Sequence, residues 1–532
     1  MLTTLLIVLP VIGALVVWLL PRANPAAIRL AALGFGLVET LLAAVMVLGF
    51  DPSAAGLQFA QAAPWVPSLG IDYAVGVDGI SLWMVGLTAL LLPIAIGASW
   101  PWMEERAKEY GAFLLLLAAG MIGAFAATDV VLFFVFWEVM LIPMYLLIGI
   151  CGGDRRVAAA FKFFIYTSVG SLLMLVGIIA LYVNAAGAGR ATFAIAELVR
   201  TPLPGGAQLL VFLAFALAFA IKVPIFPLHT WLPDAYTQAP ITALVLGTML
   251  VKVGAYGFIR FALPLFPGAM RANADWITTL AVIGIIYGAL CAIEQRDLVR
   301  LLAYSSISHL GFVVLGIFAL NTQGTMGALI QMVNHSISAG ALFIIASMII
   351  RRTGTSDIPS LGGLASRYPL ITAFFLLAMF SSAGVPGLNG FVGEFLTMLG
   401  AFQPHLRLVV VAACGVVLGA IYLFWMFQRV MHGRPATTLV ADPRDLTRRE
   451  ALVLVPLALA IVWIGVKPNT LLGRIEPSVA ATLGQAGMTS AEVEVLSAES
   501  PPPQHPALST QHSALRLSTQ HSALRGVAAW PR

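Results

Sequence analysis

Apolar residues run through this chain in long, nearly uninterrupted stretches, each closed by a short polar or proline-rich segment. A bilayer core about 30 Å thick takes roughly 20 apolar residues wound as a helix. Windows of that length place helices near 2–20, 28–50, 79–100, 111–127, 130–150, 157–183, 208–229, 241–263, 276–293, 298–320, 325–350, 370–403, 407–430 and 450–466. The pattern predicts an all-α polytopic membrane protein of about 14 transmembrane helices. The opening run MLTTLLIVLPVIGALVVWLL has no basic n-region and no A-x-A cleavage site, so it reads as a first membrane helix rather than a signal peptide. Past residue 466 the character changes: 467–499 is only mildly amphipathic, Pro501 to Pro503 follow, and LSTQHSALR occurs at 508–516 and again at 517–525. Residues 467–532 read as a largely disordered C-terminal tail.

The polar connections test the helix count. Loops after odd-numbered helices hold seventeen lysines and arginines, and loops after even-numbered helices hold five. This positive-inside bias puts the odd loops in the cytoplasm and both termini outside. A miscounted helix would scramble the alternation.

Composition sharpens this picture. Of 532 residues, 60% are hydrophobic and 10% charged, against about a quarter charged in a soluble domain. The net charge of +5 is scattered through short loops rather than gathered in a patch, which argues against nucleic acid as a partner. Cys151, Cys291 and Cys414 are far apart and form no C-x-x-C pair, so they read as buried small residues, not as ligands of a metal or an Fe–S cluster. No nucleotide-binding motif is present, because the glycine-rich stretch from Gly384 to Gly390 lacks the P-loop pattern.

The chemistry lies in charges inside the apolar runs. A charge at the bilayer centre costs at least about 2.5–3.5 kcal/mol. Glu138, Lys222, Lys252, His309, His335 and Glu394 nevertheless sit within predicted spans. Lys222 precedes Pro224 and Pro227, which remove the hydrogen bonds to the carbonyls of residues 220 and 223, so its helix should break just past the lysine. Backbone of that kind is tolerated at membrane depth only inside protein or beside water. The twelfth span has the same anatomy, with Gly384, Pro386, Gly387 and Gly390 interrupting the helix shortly before Glu394.

Two broken helices five spans apart, each bearing one ionisable residue, are the signature of inverted repeats. This divides the chain into helices one to three within 1–110, a first five-helix repeat at 111–263, an inverted second at 276–430, a last helix at 450–466 and the tail at 467–532. Glu138 is a lone carboxylate in an apolar run, for which Lys222 is the natural partner. A static buried ion pair would also explain those two residues, but not the second lysine, second glutamate and two histidines that accompany them. His309 and His335 lie among serines that could support a water chain, or each could simply bond to a neighbouring helix. Glu39 is a further intramembrane carboxylate with no broken helix beside it. Burial disfavours charge on lysine and carboxylate alike, and histidine titrates near neutrality, so such a series can pass protons.

These residues resemble a known family. Lys222-Val-Pro-Ile-Phe-Pro-Leu-His-Thr-Trp-Leu-Pro-Asp-Ala is similar to the signature of the antiporter-like subunits of respiratory complex I and of Mrp antiporters. Glu394 in Gly-Phe-Val-Gly-Glu-Phe and the run WEVMLIPMYLLIG around Glu138 resemble the subunit-M branch, where related branches carry lysine in place of the glutamate. The resemblance implies a proton-translocating membrane-arm subunit of an NADH-quinone oxidoreductase, a translocase that carries no redox centre in this chain. Glu138 and Lys222 would form a coupled pair, Lys252 and His335 would lie on a central axis with His309 beside them, and Glu394 would serve the distal half. NADH, FMN, Fe–S clusters and quinone would act elsewhere in the complex, and the partners would be L-, N- and K-like membrane subunits. An Mrp-type Na⁺/H⁺ antiporter subunit and a membrane subunit of a hydrogenase-type complex are the alternatives.

Overall fold

The computed structural model describes residues 1–103, 106–433 and 444–488. Thirteen segments are long and apolar enough to cross a membrane: α1 (Leu2–Leu19), α2 (Pro25–Leu48), α3 (Leu82–Ser99), α4 (Ala107–Ala126), α5 (Val130–Cys151), α6 (Arg156–Gly187), α7 (Gly205–Lys222), α9 (Ile241–Leu265), α10 (Pro267–Ile293), α11 (Leu298–Phe318), α12 (Thr322–Thr353), α15 (Leu406–Met431) and α16 (Arg448–Val466). Between them lie α8 (Trp231–Gln238) and the pair α13 (Pro369–Ser382) and α14 (Asn389–Phe402). The last two make one interrupted span, which completes the fourteen read from the sequence.

Burial separates two roles. The most hydrophobic windows of α9, α11 and α12 are 94% buried, whereas those of α2 and α15 are 28% and 33% buried. Helices apolar all round yet exposed, such as α2 with Leu30, Leu37, Leu41 and Leu48, are suited to face lipid. The central helices hold the polar residues, where protein rather than lipid surrounds them.

Two features depart from the sequence reading. A β-hairpin joins α2 to α3: Gln58–Val66 pairs antiparallel with Ile71–Val77. It is the one sheet among the described residues of an otherwise helical chain. The tail expected to be largely disordered from 467 departs too, because α17 (Asn469–Gln485) is helical and packs on α12. Its buried residues Leu471, Ile475, Val479 and Leu483 repeat every four positions, a stripe that a mildly amphipathic stretch conceals when read only for membrane-length hydrophobicity. Ser478 on this helix accepts the Gly79 amide at 2.9 Å and donates to the Ala55 carbonyl at 3.1 Å. The LSTQHSALR repeats lie outside the described residues.

Candidate functional site: a buried line of ionisable residues

The first break forms where the prolines require it. Lys222 is the last residue of α7, which stops short of the 229 expected for this span. Pro224 cannot donate to the Ala220 carbonyl, which instead accepts the Ile225 amide at 2.9 Å. The Ile221 carbonyl takes the indole N–H of Trp231 at 2.8 Å. Polar backbone freed by the break is thus satisfied inside the protein. The Lys222 ammonium is fully buried and has no hydrogen-bond partner among the described residues. It lies over the rings of Trp137 and Phe163, with Nζ 4.8 Å and 6.0 Å from their centroids, an arrangement in which the negative ring faces attract the cation.

The direct Glu138–Lys222 contact sought from the sequence is not formed. No ion pair among the described residues joins them, although the carboxylate is near enough to act on the ammonium through its field. The physical reason is the helix turn: Trp137 and Glu138 are consecutive, so they point about 100° apart. The indole takes the position over the ammonium. One Glu138 carboxylate oxygen is buried without a partner. A discontinuity follows at Met140, where α5 divides into Val130–Val139 and Leu141–Cys151. Pro143, which cannot bond back to Val139, is the sequence signal for it.

The other four candidates come together. Lys252 Nζ lies 2.6 Å from His335 Nδ1, both side chains being buried. The rings of His335 and His309 are 5.6 Å apart. His309 Nδ1 is 2.7 Å from Glu394 Oε1, which also accepts the Gln331 amide at 3.2 Å. On its other side His309 Nε2 lies 3.3 Å from the Tyr422 hydroxyl, itself 2.8 Å from Ser305 Oγ. A small cavity, of a size to suit about one water, is lined by His309, Gln331, Asn334, His335 and Glu394. Gln331, Asn334 and His335 each keep a buried polar atom without a protein partner. His309, the weaker candidate from the sequence, is the bridge between the centre and Glu394.

Local backbone positions these groups. α9 is not one regular helix: a turn at Val251 separates Leu244–Leu250 from Lys252–Gly257, and a π-helical stretch follows at Phe258–Ala262. Gly254 lets α9 meet α7, since a Cβ there would come within 2.9 Å of Lys222 Cβ and 2.7 Å of the Phe219 carbonyl oxygen. The second break, between α13 and α14, turns through Gly384 (φ 71°) and Gly387 (φ 92°), conformations that glycine adopts without strain. Side chains close it: Asn334 donates to the Asn389 carbonyl at 2.6 Å, Ser338 and Ser381 are 2.5 Å apart, and Ser381 also bonds Asn389.

Three buried features escaped the sequence reading. Arg260, close to the end of the span read at 241–263, sits in the π-helical stretch 2.5 Å from Asp78 and 2.9 Å from the Tyr256 hydroxyl. Arg352, just past the span read at 325–350, forms a two-pronged pair with Glu450 at 3.0 and 2.8 Å that ties α12 to α16. Ser99, Tyr110 and Thr242 form a closed set of buried hydroxyls. The first two lie at predicted span ends, where charge is ordinary, and no spacing links the three hydroxyls. Glu39 stays apart from the line, fully buried with neither oxygen partnered. Among the described residues no three His, Cys, Asp or Glu side chains are grouped to hold a metal ion.

Comparison with known proteins agrees with this architecture. Residues 127–419 match the model of the NADH:quinone oxidoreductase/Mrp antiporter transmembrane family. The NADH-quinone oxidoreductase subunit M of Rhodobacter capsulatus is 42% identical over 485 residues, covering 89% of this chain and 94% of that one. The subunit M of Rickettsia prowazekii (strain Madrid E) is 39% identical, covering 89% and 96%. Among solved structures, a chain of respiratory complex I from Thermus thermophilus with bound NADH superposes with a TM-score of 0.84 at 33% identity, covering 92% of this chain and all of that one.

Proposed function

The chain belongs to the NADH:quinone oxidoreductase/Mrp antiporter family, on its subunit-M branch, and on that premise we propose that protons cross it along the line Lys252, His335, His309 and Glu394, driven by the state of Lys222 and Glu138. It is a multi-pass, antiporter-like membrane-arm subunit of an NADH-quinone oxidoreductase, with a proton-pumping role. NADH, FMN, Fe–S clusters and quinone belong to the wider complex, and the neighbours of this chain there are L-, N- and K-like membrane subunits. The chain lies in a bacterial inner membrane with both termini on the outer side, as its loop charges favour.

The observation that carries this reading is the succession from Lys252 to Glu394 through two histidines whose ring centroids lie 5.6 Å apart. A lysine and an imidazole 2.6 Å apart share a hydrogen bond along which one proton can move to either nitrogen. His309 can do the same with Glu394, and the two rings are close enough for a single water to join them. Lys222 differs, because no protein hydrogen bond among the described residues fixes its ammonium. It is held by ring faces and by the field of Glu138, so a change in that field shifts it without breaking a strong bond. Gly254 brings Lys222 against the helix that carries Lys252, so the shift reaches the start of the line. On this reading 111–263 and 276–430 are the two inverted halves, each with its break and its ionisable residue.

The test is Lys222→Ala in the assembled complex, reconstituted in vesicles. Electron transfer measured with an uncoupler should persist while proton uptake is lost, and normal pumping would sink the proposal.

A further inference from the structure

The buried group of Arg260, Tyr256 and Asp78 takes no part in the line, although two of its members stand on the same helix as Lys252. Lys252, Tyr256 and Arg260 are spaced four apart, which sets them in a row along one side of α9. Arg260 lies eight residues beyond Lys252, about 12 Å at 1.5 Å per residue, toward the end of the helix that the charge bias assigns to the outer face. Between them Tyr256 is the one polar side chain, the rest being buried apolar residues and glycines. The Tyr256 hydroxyl donates to the Phe125 carbonyl at 2.7 Å and accepts the Arg260 Nε–H at 2.9 Å. Arg260 reaches on to Asp78 Oδ1 at 2.5 Å, just past the hairpin, and the same oxygen accepts the amides of Ile80 and Ser81 at 3.0 and 3.1 Å. The side chains of Arg260 and Asp78 are only 13% and 6% exposed.

We propose that Arg260 is an outer seal on the first half of the chain: it stops protons from passing directly between Lys252 and the outer face, and leaves His335 as their way on. This rests on the proposed function and names a barrier that function requires, because pumping enriches the outer side in protons that would otherwise run back to Lys252. A hydroxyl relays a proton by accepting one and releasing another to a neighbouring acceptor. Tyr256 cannot do this between Lys252 and the outer face. Its hydrogen is given to a backbone carbonyl, and its neighbour on the outer side is a guanidinium, which offers N–H donors alone and does not give up a proton. A fixed arginine charge is also a barrier to an approaching proton. Asp78 holds the guanidinium in place, so the charge is tolerated in a buried position. The Tyr256 ring is itself buried and meets Phe125 edge-on at 5.2 Å. Toward His335 the situation is the reverse, since there Lys252 Nζ finds an imidazole nitrogen at 2.6 Å.

The test is proton leak through the assembled complex in vesicles, with electron transfer stopped and a pH gradient imposed, acidic on the outer face. Arg260→Gln is paired with Asp78→Asn, so that no buried charge is left stranded. Vesicles with this pair should lose a gradient that the parent complex holds. Arg260→Lys keeps a cation beside Asp78 but substitutes a group that can release its proton, so it should leak as well. A purely structural ion pair would be restored by the lysine. Adding Lys252→Met should make either set of vesicles tight again, because the leak runs through Lys252. Arg260→Lys as tight as the parent, or a leak that persists without Lys252, overturns the seal. Tight Arg260 variants together with pumping lost in Lys252→Met alone would show that the line stands and only its seal is misassigned. Normal pumping in Lys252→Met alone would count against the line itself.

Discussion

The two breaks look alike in sequence and are built differently. At the first, an ammonium with no hydrogen bond from the described protein groups rests on the faces of Trp137 and Phe163, and a tryptophan indole caps the freed carbonyl of Ile221. At the second, the Glu394 carboxylate is bonded to His309 and Gln331, and asparagines and serines close the turn. Ring faces hold a cation over a broad area, by about 0.5–2 kcal/mol. Charge-assisted hydrogen bonds fix position and direction. On the proposed reading, the comparison teaches that one break is arranged for movement and the other for holding the end of a proton line in register.

The largest effect should come from filling the second break. A Cβ at Gly390 would sit 1.9 Å from the Ser381 carbonyl oxygen, which is backbone and cannot swing away. Gly390→Val should cost about 3 kcal/mol or more, seen as loss of assembled complex on native gels. Survival of normal amounts of complex would mean that the turn is not as tight as described. Next, Glu394→Gln keeps the shape but not the proton-accepting carboxylate. Proton uptake should fall about ten-fold or more while the complex assembles, and unchanged uptake would remove Glu394 from the line.

At the first break the effects should be smaller. Trp231→Phe strands the Ile221 carbonyl and should cost about 1–3 kcal/mol, measurable as a lower thermal midpoint for the complex. An unaltered midpoint would show that the carbonyl finds another donor. Trp137→Leu should matter least for stability, weakening the hold on Lys222 by about 0.5–2 kcal/mol and altering the pH profile of proton uptake. An unaltered profile would deny that the rings tune this lysine.

The spans were legible because about 20 apolar residues per crossing is a demand of the bilayer itself, and both breaks because proline and glycine change backbone chemistry wherever they stand. The six ionisable candidates stood out by their cost in an apolar run. What could not be read was which of them touch. Lys252 and His335 are 83 residues apart in the chain, and His309 and Glu394 are 85 apart, so only the tertiary arrangement pairs them. The same limit hides how Lys222 and Glu138 are coupled, since spacing does not reveal that Trp137 covers the ammonium while Glu138 acts on it without a direct ion pair. Helix α17 and the hairpin were hidden for another reason. Both are short and only half apolar, and a search tuned to membrane-length runs passes over them.

His309 is where the account is most exposed, since in the proposed line it stands between His335 and Glu394. The direct measurement is the number of protons moved per electron in the assembled complex in vesicles carrying His309→Leu. A fall in that ratio, with uncoupled electron transfer intact, is the predicted result. A ratio equal to that of the parent complex would contradict the line.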